Sequence, residues 1–151
     1  MTGVASAVML VAHVVTAVVG FGAVIATGVA ARAARRSATA PSTRRYFRPG
    51  PNWASLSLLL VPVFGAALEA LQKFPDLHQA WPWLALGMWA VAACVGLFVH
   101  WPAERRIQAL VATGGGGPPD LAGPCQRAIW SSAAMAVLFS GCVGVMVTQP
   151  H

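Results

Sequence analysis

Four apolar stretches, 4–31, 53–71, 81–101 and 128–148, govern what this chain can become. Each is near or above the roughly 20 residues that a helix needs to cross a hydrocarbon core of about 30 Å. Lipid offers no partner for a backbone N–H or C=O, so such a stretch must satisfy its own backbone, and a helix does this. Of the 151 residues, 57% are apolar and 9% charged. A soluble domain carries about 25% charged residues. The deficit, with a mean hydropathy of +0.65, belongs to a membrane protein. The expected fold is a single all-α transmembrane domain over 1–151, a four-helix bundle with antiparallel neighbours.

The first stretch is the longest. At 1.5 Å per residue it reaches roughly 42 Å, so it tilts or protrudes. It differs from a signal peptide in three ways. No positive segment precedes it, its apolar part exceeds the usual length, and its arginines follow it. It reads as a retained helix.

The charges give orientation. Arg32, Arg35, Arg36, Arg44, Arg45 and Arg48 fall in the loop 32–52, and Arg105, Arg106 and Arg127 in the loop 102–127. The remaining loop, 72–80, holds only Lys73. Four spans put the two arginine loops on one side, which the positive-inside rule makes cytoplasmic, with both termini outside. The net charge of +6 does not indicate nucleic acid, because the arginines lie between apolar runs and form no soluble basic face. Anionic headgroups account for them. Arg44, Arg45, Tyr46, Phe47, Arg48 and Trp53 read as an anchor at the inner headgroups, joined by Trp101, with Trp81 and Trp83 at the outer ones. Pro49 and Pro51 stop the second helix from extending backward.

Between helices in lipid, small residues mark the contact faces. The first stretch carries Ser6, His13, Thr16, Ala17, Gly20, Thr27 and Gly28; the second Ser55, Pro62, Gly65, Ala66 and Glu69. The third carries Ala85, Ala92 and Gly96; the fourth Ala133, Ala136, Ser140 and Gly144. Pro62 is a candidate kink. "AERRIQALVAT" fits a short interfacial helix that continues or follows the third span. The "GGGGPP" after it is a joint, not a phosphate loop, since the GK[ST] ending is absent. Cys94, Cys125 and Cys142 have no short spacing and predict neither a zinc site nor a disulfide.

His13 and Glu69 are the candidate site. An ionisable group within a span is costly and is a functional candidate for that reason. With both termini outside, their depths match, so a hydrogen-bonded His13–Glu69 pair would line a polar pocket fit to relay protons or hold a metal or haem. The competing reading has a neutral His13 bonded to a backbone carbonyl or to Thr16, with Glu69 snorkelling to the interface. His100 reads as an ordinary interfacial residue, and His100 with Cys125 is thin support for a metal. His78 and His151 lie in a loop and at the terminus. Glu104, Arg105 and Arg106 read as a solvated cluster. No serine or cysteine sits in a nucleophile motif, so an enzyme is not indicated.

"RRYFRPGPNWA", then "VPVFGAAL" in the next span, and later "WPAERRIQ" resemble a family of small bacterial integral membrane proteins with four spans and no assigned activity. The resemblance covers most of the chain and implies a multi-pass protein of the bacterial cytoplasmic membrane. The first helix, with a histidine among small residues, is distantly similar to that of copper-resistance D-type proteins and of membrane-bound protoporphyrinogen oxidases. The latter use haem. The further intramembrane histidine and lysine expected of that oxidase are not evident here. Three functions follow as expectations. The first is a structural or accessory membrane protein that associates with itself or a larger complex through small-residue faces. The second is a haem or metal redox protein using His13, and the third a small oligomeric transporter using Glu69.

Overall fold

In a computed structural model describing residues 2–37, 40–71, 78–114 and 117–148, every apolar stretch is helical. Lys73, His151 and the middle of the glycine run lie outside these residues. The elements are α1 (Thr2–Arg36), a short α2 (Pro41–Tyr46), α3 (Trp53–Leu71), α4 (Ala80–Thr113) and α5 (Pro118–Thr148). Four of these are long and apolar enough to cross a membrane. Large apolar side chains such as Val11, Val63, Leu84 and Val137 point outward along all four. Water would not tolerate an apolar exterior of that extent, and lipid favours it.

The helices outrun the apolar stretches at the arginine-rich end. Residues 102–127, read from the sequence as a loop, are helical over most of their length. Ala103, Ile107 and Val111 recur on one face of α4 and are buried, which holds the helix together beyond the apolar run. It stops at Gly114, whose φ of 64° is left-handed. Likewise α1 continues to Arg36, where Arg35 and Arg36 favour the negative end of the helix dipole.

Two prolines set the internal geometry. Pro62 supplies no N–H to the Leu58 carbonyl four residues back. A 3-10 turn over Ser57–Leu60 brings the Val61 N–H to that carbonyl instead, and the indole of Trp89 on α4 donates to it at 3.0 Å. Pro102 creates the same deficit in α4, and its ring crowds the carbonyl of Phe98. The turn before it, Gly96–His100, widens into a π-helix, with the Trp101 N–H donating to Gly96 five residues back. This extra residue per turn swings His100 into the bundle.

Two apolar clusters succeed each other along the bundle. Phe21, Val24, Leu58, Val61, Ala92 and Met135 join all four long helices. Ala31, Phe47, Ile107, Leu121 and Cys125 belong to the second, at the arginine-rich end. The small residues of α1 serve close contact. A Cβ on Gly20 would lie 2.7 Å from the backbone N of Leu58, and one on Gly28 would lie 2.6 Å from the side chain of Ser132. Ala85, Ala92 and Gly96 of α4 are buried as well.

On α5 the contact face differs from the sequence reading. Ala133, Ser140 and Gly144 are exposed, and the buried face is Ala128, Ser131, Ser132, Met135 and Cys142. The two sets are offset by about one residue, roughly 100° of helix. Serine and cysteine were small enough to be the contact residues, and the partner, not residue size, decided between the faces.

Candidate functional site

The polar groups collect in two places, separated by the apolar cluster around Phe21, Val24, Leu58 and Met135. Away from the arginines, His13 is half-buried on α1. Its Nδ1–H donates to the Val61 carbonyl at 2.9 Å. The ring lies against Gly65, where a Cβ would come within 3.2 Å of Cε1. Glu69 is one turn further along α3 on the same face and is half-buried. The hydrogen bond of His13 therefore goes to a backbone carbonyl and not to Glu69. Thr16 turns its hydroxyl to the Ala12 and His13 carbonyls of its own helix. Donation from Nδ1 leaves Nε2 unprotonated, the tautomer a metal ligand needs. Yet no three His, Cys, Asp or Glu side chains gather as a metal site would require among the described residues.

The other polar cluster was not anticipated. It begins with the turn Pro49-Gly50-Pro51. Gly50 has φ 134°, a conformation closed to other residues, and this directs Asn52 to the start of α3. There Asn52 caps the helix, its Oδ1 accepting from the Ser55 N–H at 3.3 Å. The same amide points its Nδ2 at α4 and donates to Glu104 Oε1 at 2.9 Å. The Ser55 hydroxyl donates to the Asn52 carbonyl and accepts from the Trp101 indole at 3.1 Å. Gln108 donates to the Gly50 carbonyl at 3.3 Å. Thr27 of α1 spends its single proton on the Ala23 carbonyl, so the Tyr46 phenol donates to Thr27 at 3.0 Å. Burial pushes the Tyr46 phenol above its usual pKa, against the effect of its bond to Thr27, and keeps it a donor. Tyr46 and Thr27 both lie within electrostatic reach of the Glu104 carboxyl.

Three sequence readings are corrected by this cluster. Glu104 is only 4% exposed and is not part of a solvated charge cluster. Phe47, 1% exposed, packs among Ala31, Ile107 and Leu121 and faces the protein, not headgroups. Trp101, 7% exposed, spends its indole N–H on Ser55 and is no membrane anchor. The reason is common to all three. The extension of α4 past Pro102 gives the chain between α1 and α3 something to pack on. Arg44, Arg45, Tyr46, Arg48 and Trp53 stay exposed, where an anchor needs them, and Trp81 is half-exposed.

His100 is likewise not interfacial: it is fully buried. The Ser131 hydroxyl donates to the Arg127 and Ala128 carbonyls at 2.7 and 3.1 Å. Toward His100 Nδ1, at 2.9 Å, it can only accept. Nε2 then holds an unprotonated lone pair, buried and without a hydrogen-bond partner among the described residues. A helical wheel of α4 carried the missed signal. His100, Glu104, Ile107 and Val111 share a face, and two of the four are plainly apolar.

Chemically, the cluster around Glu104 is a clamp. The cavity beside Asn52, Ser55, Trp101 and Glu104 measures about 20 Å³, room for one water and no substrate. Cys125 and Cys142 are buried, Cys94 is exposed, and all are free thiols. No family model, no curated protein and no solved structure matches the chain. The resemblance to a four-span family, carried by two loop motifs and the span pattern, is supported by none of these comparisons.

Proposed function

We propose that the chain is a structural or accessory protein of a bacterial cytoplasmic membrane, associating with a second copy or a larger complex through the small-residue face of α5. Its four spans run antiparallel, with both termini outside and the nine clustered arginines in the cytosol. The supporting observation is the split among small residues. Gly20, Gly28, Gly65 and Gly96 are used inside the bundle, each beside a neighbouring side chain or backbone. Ala133, Ser140 and Gly144 on α5 are exposed. Small residues let helices approach closely in lipid, where apolar area alone gives no preference for protein over acyl chains.

Oligomeric mass in mild detergent tests this. Ser140→Leu with Gly144→Leu is expected to reduce the assembly to a monomer with unchanged helix content. Gly87→Leu, at a position open to the surroundings, is expected to leave the mass as it was. An unaltered mass in the double variant would end the association reading. Reporters fused to each terminus test the topology. Both are expected to report from outside, and one cytosolic signal would overturn the orientation.

A transporter using Glu69 would need a polar route past Phe21, Val24, Leu58 and Met135, and that layer speaks for a closed bundle. A redox role for His13 would show as a Soret band in the purified protein.

A further inference from the structure

We infer that the groove between α4 and α5 at the arginine-rich end binds an anionic phospholipid, its phosphate between Arg106 and Arg127 and an acyl chain along Phe98 and Val99. The inference rests on the membrane reading of the four spans. The groove has a volume of about 220 Å³, larger than the roughly 150 Å³ cavity that admits benzene. It exists because short side chains lie between long ones. Pro102, Ala103 and Pro124, all short side chains, line it together with Phe98, Val99 and the two arginines.

Its two ends differ in chemistry. Arg106 and Arg127 face it from opposite helices. Among the described residues the acids that could neutralise them are committed elsewhere. Glu104 is turned inward to Asn52, and Asp120 accepts from the Gly117 N–H. Phe98, eight residues before Arg106, lies about 12 Å deeper along the helix. It is 77% exposed, and Val99 beside it is also open. Two guanidinium groups suit a phosphate, which each can grip through paired N–H donors. A free phosphate would leave the apolar half of the groove unfilled. A phospholipid matches both halves at the depths a bilayer would present them.

The test is lipid binding to the full chain in detergent, followed by native mass spectrometry with phosphatidylglycerol and phosphatidylcholine. Phosphatidylglycerol is expected to bind more tightly. Arg106→Gln with Arg127→Gln should weaken it roughly thirty-fold, from about five-fold per arginine near an anionic surface. Arg32→Gln with Arg36→Gln removes the same charge at exposed positions of α1, outside the groove, and should change it less than about two-fold. Val99→Trp fills the groove with both arginines in place, and should also abolish the preference. Equal losses in the two glutamine pairs would mean general surface charge and overturn the site. Displacement of the lipid by inorganic phosphate, or full binding in Val99→Trp, would mean an anion site without a lipid and overturn it too. Release of the protein from membranes by an alkaline carbonate wash would instead refute the membrane reading itself.

Discussion

Gly20→Leu is expected to break the bundle, lowering the free energy of unfolding in detergent by about 3 kcal/mol or more. The added Cβ would come 2.7 Å from the Leu58 N and 2.9 Å from its Cα. Those atoms are backbone, held by the 3-10 turn before Pro62, so no rotamer change can relieve the contact. Helices α1 and α3 must move apart. Separation would also pull His13 from the Val61 carbonyl and loosen the packing of Phe21 on Phe139, whose rings stack at 4.6 Å. Gly22→Leu, two residues on, adds the same side chain where nothing lies within 4 Å. It should leave stability unchanged or raise it by up to about 1 kcal/mol, because leucine favours the helix over glycine. Denaturant titration followed by circular dichroism gives both values, and similar losses would show that close approach at Gly20 is unimportant.

Glu104→Ala carries the second large effect, about 3 kcal/mol. The variant loses a hydrogen bond to the Glu104 carboxyl and leaves the half-buried Asn52 amide without its acceptor, together on the order of 3 kcal/mol. Glu104→Gln keeps an acceptor for Asn52 and should cost less than half as much. Asn52→Ala removes the cap of α3 as well, about 1 kcal/mol by itself. The two alanine changes act on one contact, so the double variant should fall short of their sum by about 1–2 kcal/mol. Strict additivity would mean that Asn52 and Glu104 do not act together. The damage should also be local. Trypsin should cut faster at Arg44 and Arg45 in Glu104→Ala, because the chain between α1 and α3 is pinned to α4 through Asn52.

The same two residues show why part of the molecule was readable and part was not. Asn52 before Trp53-Ala54-Ser55 has the form of a helix cap, and Glu104 falls on one face with Ile107 and Val111. Each is a local signal. Neither says that the two side chains meet, because they are 52 positions apart and only the tertiary fold, with α3 on α1, α1 on α5 and α5 on α4, brings them together. A charged residue after an apolar run ordinarily marks the water's edge, so Glu104 and His100 read as interfacial. The π-turn that Pro102 forces turned them inward.

The length of the apolar runs determined the four spans, because an unpaired backbone in lipid is too costly for any other outcome. The distribution of the arginines and the absence of nucleophile or metal spacing were equally plain. Which face of each helix turns inward was left to the tertiary structure. Apolar residues surround all four helices, and lipid rewards burial in protein no more than exposure to itself. Close steric fit made the choice: Gly20 on Leu58 and Gly28 on Ser132 inside, with Ala133, Ser140 and Gly144 of α5 left facing out.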